Sequence, residues 1–106
     1  MKTEMNTNIR HAGLLKFKSI ITEEEKQAFF IALKDLEQIE GVQKMEISKQ
    51  ISTKNPFEYG FSMEFANERI YKAYNIHPQH NAFVQNYWLK YVEDFMEIDT
   101  MQMITL

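Results

Sequence analysis

The stretch from Phe57 to Phe65 constrains this chain more than any other part of it. Phe57, Tyr59, Phe61, Met63 and Phe65 share one phase of a two-residue period, and Glu58, Gly60, Ser62 and Glu64 share the other. A helix would scatter those aromatics around its circumference, whereas a strand gathers them on one face. An aromatic face of that kind has to be covered by other apolar elements.

Two further strands and their connections follow from the same rule. Over 9–18, His11, Gly13, Leu15 and Phe17 lie on one face and Arg10, Ala12, Leu14 and Lys16 on the other. Over 42–51, Met45, Ile47 and Ile51 alternate with Lys44, Glu46 and Ser48. Thr22 followed by Glu25 is a capping box that opens a helix, with Ala28, Phe29, Ala32, Leu33, Leu36 and Ile39 at helical spacing and Gly41 as its stop. Asn67 caps a second helix that turns Ile70, Ala73 and Tyr74 inward, and His77-Pro78 interrupts it. Pro78 opens a third helix running to about Glu93, with Phe83, Val84, Tyr87, Trp88 and Tyr91 along it. A last strand covers 95–104, and residues 1–8 are polar and aperiodic, as in a flexible tail. One domain over 9–106 results.

The order β-α-β-β-α-(α)-β predicts an α+β, ferredoxin-like fold: a four-stranded antiparallel sheet with helices on one face. The Phe-rich phase faces the helices. The other sheet face carries Ala12, Leu14, Gly60 and Ser62 beside charged residues, a mixture that suits stacking on a second copy in a homodimer.

Composition narrows the function. Lys and Arg number 12 against 15 Asp and Glu, with no basic cluster, so nucleic acid is not the expected partner. With no cysteine, thiolate chemistry, disulfides and Cys-based metal sites are excluded. Three glycines leave no phosphate-cradling loop, and no Gly-x-Ser-x-Gly or HExxH motif occurs. Neither a signal peptide nor a membrane-length apolar run is visible, so a cytoplasmic protein without membrane contact is expected.

The chemistry-bearing residues concentrate in Tyr74 to His80. His77 and His80 have the spacing of a metal pair, but no third ligand is near in sequence, and His77 also reads as a cap before Pro78. No metal is therefore assigned. His80 sits in the first turn of a helix, which favours the neutral imidazole that a general base needs. Beside it, Tyr74 has the phenol to polarise a carbonyl, a pairing suited to enolisation, aldol closure or isomerisation. The plain alternative makes Tyr74 a core aromatic and His80 a partner for a buried carbonyl. His11 faces the core and must find a partner there. Gly13 leaves space for a ligand or for a bulky neighbour such as Trp88.

Taken in order, Arg10-His11, Leu15 to Lys18, Thr22 to Glu25, Gly41-Val42, Glu64-Phe65 and His77-Pro78-Gln79-His80 resemble the stress-responsive A/B barrel domain (Dabb) family over about residues 9–101. The resemblance implies a ferredoxin-like subunit that dimerises through its sheet into an α+β barrel. Many members have no assigned activity. One plant member cyclises a polyketide by aldol condensation without a cofactor; its catalytic tyrosine and histidine match Tyr74 and His80, and a pocket histidine matches His11. A further histidine of that cyclase is replaced here by Tyr59. By the same resemblance Phe29, Leu33, Phe61 and Phe83 line the pocket, with Gly13, Leu15, Tyr59 and His77 near it.

Three readings compete at this point. The first is a dimeric small-molecule-binding barrel, its ligand hydrophobic or carbonyl-containing. The second is a cofactor-independent cyclase or isomerase in which His80 is the base, Tyr74 polarises the carbonyl and His11 orients the substrate. The third, suggested by related barrels, is a haem-binding or oxygen-using enzyme.

Overall fold

The computed structural model describes residues 5–103. Strand β1 (Met5–Phe17) is followed by helix α1 (Glu23–Asp35), strands β2 (Gln43–Lys49) and β3 (Tyr59–Phe65), helices α2 (Glu68–Asn75) and α3 (Pro78–Phe83), and strand β4 (Val92–Met103). The strands form one antiparallel sheet in the order β2-β3-β1-β4. This is the expected ferredoxin-like arrangement, with the two longest strands side by side.

Local chemistry explains the helix starts. The Thr22 hydroxyl accepts from the Glu25 backbone N–H while the Glu25 carboxylate accepts from the Thr22 N–H, closing the capping box. The Asn67 side chain caps the Ile70 N–H at 2.9 Å. His77 caps α3 through Nδ1, which accepts from the Gln79 N–H, and Pro78 takes the first helical position.

Several boundaries differ from expectation. Strand β1 takes in Met5–Asn8, which pair onward beside β4; the expected tail over 1–4 and the end of the last strand at 104 lie outside the described residues. Helix α1 stops at Asp35 and tightens into a 3₁₀ turn over Leu36–Gln38, and Gly41 follows at φ +96° in the connecting turn. Strand β2 ends at Lys49, leaving Ile51 exposed. Strand β3 begins at Tyr59; just before it, the Glu58 side chain accepts from the Phe17 N–H. On α2, Ala73 is exposed and Tyr71 is half-buried in its place. Beyond α3 the chain stays helical, first as a π-helical turn over Val84–Trp88 in which the Leu89 N–H donates to the Val84 carbonyl, then as a last turn to Tyr91.

The core fills the space between sheet and helices. Leu15, Phe29, Leu33, Met63 and Phe65 are essentially inaccessible to solvent there. Phe17, Phe29, Phe30 and Tyr59 form one aromatic group, with neighbouring ring centroids 4.9–5.7 Å apart. Burial at ~25 cal/mol/Å² makes this layer the main source of stability.

Three consecutive inward-facing rungs of the sheet position the site. His11 stands between Met63 and Asp99, Gly13 between Phe61 and Glu97, and Leu15 between Tyr59 and Phe95. On the outer face, Ala12 lies between Ser62 and Ile98, and Leu14 between Gly60 and Met96. Met96 and Ile98 are both more than half exposed.

Candidate functional site

A cavity of about 270 Å³ opens between the sheet and the helices at the His11 end of the core. Its wall is mostly apolar: Leu33 and Leu36 from the first helical segment, Phe61 from β3, Phe83, Trp88 and Leu89 from the last helical segment, and Phe95 from β4. His11, Tyr74, His80 and Glu97 supply the polar chemistry. An apolar cavity of ~150 Å³ already holds benzene, so this one has room for a molecule of one or two rings.

His80 is held by its own helix junction. Its Nδ1 lies 3.1 Å from the Asn75 carbonyl oxygen. A carbonyl only accepts, so Nδ1 carries the proton and Nε2 of the neutral ring holds a free lone pair. Burial pushes the His80 pKa below its ordinary value; the Asn75 hydrogen bond pulls the other way, and the nearby His11 adds to the lowering. Desolvation thus acts in the same direction as the positive helix terminus anticipated from sequence.

Tyr74 lies against His80, with ring centroids 4.5 Å apart. The residue is 2% exposed. Its hydroxyl has no hydrogen-bond partner among the described residues, yet no buried side-chain polar atom lacks one. The hydroxyl therefore keeps some exposure, and Tyr74 lines both this cavity and the neighbouring groove beside Gly41. Burial raises the Tyr74 pKa, and the charges of Tyr71 and Glu97 raise it further, so the phenol stays a proton donor at neutral pH.

His11 is fixed by a network the sequence did not reveal. Its Nδ1–H donates to Asp99 Oδ1 at 2.6 Å, and the Tyr71 hydroxyl donates to Asp99 Oδ2 at 2.8 Å. The Tyr71 oxygen also lies 3.0 Å from His11 Nδ1. The carboxylate sets the tautomer, leaving Nε2 of a neutral His11 as an acceptor. Burial, then the Asp99 hydrogen bond, raises the Tyr71 pKa.

The cavity thus brings together His11, Leu33, Phe61, Tyr74, His80 and Phe83 of the residues singled out from sequence. Five others lie elsewhere. Leu15 and Phe29 are sealed in the core, and Tyr59 packs on Phe17 and Phe30 at the far end of the sheet. His77 spends its ring nitrogen on capping α3 and borders a separate groove beside Gly41 and Arg69. Gly13 leaves no space for a ligand, because the Phe61 ring occupies it: a Cβ there would lie 2.4 Å from Phe61 Cε1. Tyr71, Trp88, Phe95, Glu97 and Asp99 were not expected at the site. Tyr71 carries one usable signal, its i,i+3 spacing to Tyr74, and Phe95, Glu97 and Asp99 share one phase of β4. No group of three metal-ligating side chains occurs among the described residues.

Comparison with known proteins agrees with this architecture. A crystal structure of a Dabb family protein with a ferredoxin-like fold from Mesorhizobium loti is similar at 42% identity, with a TM-score of 0.82, over 88% of this chain and 94% of that one. A dimeric ferredoxin-like protein of unknown function from Bacteroides fragilis is 20% identical, with a TM-score of 0.71, over 93% of this chain and all of the other (100%). The hydroxynitrile lyase of Passiflora edulis shares the fold at a TM-score of 0.86 and 11% identity, over 95% of this chain and 98% of its own. No curated protein matches the sequence. Residues 9–102 match the Stress responsive A/B Barrel Domain, and with that span and the 42% identity the chain belongs to the Dabb family.

Proposed function

We propose that this protein is a homodimeric barrel, each subunit of which binds a small, largely apolar, oxygen-bearing molecule in the cavity beside His80. The observation that carries the reading is a cavity of apolar wall in which the His80 Nε2 and the Tyr74 hydroxyl are both without a protein partner. An acceptor and a donor held side by side suit a carbonyl or hydroxyl group on the ligand. The outer sheet face, with Met96 and Ile98 exposed around Ala12 and Leu14, is the surface for the second subunit, and the dimeric relative from Bacteroides fragilis supports that assembly. Native mass spectrometry of the gently purified protein tests both parts. A dimer with retained small-molecule mass is expected; a monomer at micromolar concentration overturns the assembly.

The geometry of His80 and Tyr74 also favours a second reading, proton abstraction beside a carbonyl, as in a cofactor-independent cyclase or isomerase. A neutral imidazole takes the proton, a phenol that stays protonated donates to the developing enolate oxygen, and His11 orients the substrate. The check is deuterium incorporation from D₂O into 1-phenyl-2-propanone, followed by NMR. Loss of a general base lowers such rates by ~10²–10⁴, so protein-dependent exchange should vanish in His80→Ala. Exchange equal in wild type and variant would end this reading and leave binding intact.

A further inference from the structure

We propose that the cavity takes its ligand as a protonated amine, with Glu97 as the counter-ion and the surrounding aromatic rings as the cradle; this rests on the cavity being a binding site, as proposed above. No lysine or arginine lines the cavity. The Asp99 carboxylate is already engaged by His11 and Tyr71 through both of its oxygens. Glu97 stands one rung along β4 on the same face, opposite Gly13, and makes no hydrogen bond or ion pair with the described residues. Its charge is felt at Tyr71, Tyr74 and His80, which places the carboxylate electrostatically within the site.

The wall around it suits a cation. Phe61, Tyr74, Trp88 and Phe95 present rings to the cavity, and Trp88 and Phe95 meet edge to face with centroids 5.2 Å apart. Aromatic faces attract ammonium groups, more strongly where water is excluded. His80 does not neutralise Glu97, because burial holds its ring uncharged near neutral pH. An anionic ligand would meet an unpaired carboxylate and find no cation, so acids and phosphates are disfavoured.

Trp88 is the only tryptophan, and it lines the cavity, so its fluorescence reports occupancy. The probes are benzylamine, cationic at pH 7, and benzyl alcohol, its neutral analogue of the same shape. Benzylamine should bind wild-type protein roughly tenfold more tightly than benzyl alcohol, by its ion pair and ring contacts. Glu97→Gln, isosteric and on an exposed strand position, should bring the two within about twofold and leave benzyl alcohol binding unchanged. Equal affinities in wild type would overturn the amine inference while the cavity reading stands. A benzylamine preference that survives Glu97→Gln would overturn Glu97 as the counter-ion. No fluorescence change with either probe would overturn the cavity reading and this inference together.

Discussion

Gly13 gives the sharpest test of how the sheet shapes the cavity. A methyl group added there would lie 2.4 Å from Phe61 Cε1 and 2.7 Å from Cζ. Carbon contacts rest at ~3.5–4.0 Å, so the ring must retreat by ~1 Å or more. His11 and Trp88 hold that ring edge-on at 5.4 and 6.0 Å, and the free direction is into the cavity. Overpacking of this kind costs ~1–3 kcal/mol, offset by the ~0.5–1 kcal/mol recovered when glycine leaves a strand interior. Gly13→Ala should therefore destabilise by about 1–2 kcal/mol, a fall in Tm of about 5–15 °C for a domain of this size. Thermal unfolding followed by circular dichroism at fixed protein concentration measures it. Phe61→Leu removes the offending ring atoms, so the double variant should lose less than the sum of the single losses. A Gly13→Ala protein as stable as wild type, or strictly additive losses, would refute the argument that Phe61 fills the glycine's space.

Four other outcomes rest on the hydrogen bonds and burial described above. The folded His80 pKa lies below its ordinary 6.5, so the unfolded chain binds more protons between the two values; stability should be fully present above about pH 6.5 and decline as pH falls below it, and His80→Gln should flatten that decline in denaturant titrations. Tyr71→Phe removes the 2.8 Å hydrogen bond to Asp99 and should cost ~0.5–1.5 kcal/mol, while in Asp99→Asn the ¹⁵N shifts of His11 should report a mixture of tautomers where wild type shows one. Thr22→Ala opens the capping box and should cost ~1 kcal/mol in urea unfolding, with an unchanged m-value.

What could be read from sequence divides by the distance over which the information acts. The α1 start at Thr22, the caps at Asn67 and His77, and the aromatic phase of β3 are set by residues within a few positions of one another, and each lies where its local chemistry puts it. The closeness of Tyr74 and His80 is also local, six residues spanning one helix junction. The His11–Asp99 pair spans 88 positions and Tyr71–His11 spans 60, so neither contact leaves a mark on neighbouring sequence. Strand β4 hid its contribution for a further reason: its helix-side phase mixes Glu97 and Asp99 with Phe95, while its outer phase carries Met96 and Ile98, which blurs the usual apolar-inward pattern. The family resemblance put Leu15 and Tyr59 near the pocket, and both do share the sheet face of His11. At ~3.3 Å per residue, however, four positions along a strand is ~13 Å, enough to carry them to the opposite end of the core.

The π-helical turn over Val84–Trp88 decides more than the local hydrogen bonds. On an α-helix turning ~100° per residue, side chains five apart point ~140° away from each other. Phe83 and Trp88 are five apart, yet both are buried and their rings lie 6.3 Å from one another at the cavity wall. The single surplus residue in that turn is what lets one helical segment aim both rings the same way. Regular α winding of the same residues would swing the indole ~140° off the ligand's side of the helix, whereas deleting Gln85 would leave Phe83 and Trp88 four apart and ~40° from one another on one face, so the shape of the cavity is encoded in a count of residues as well as in their identities.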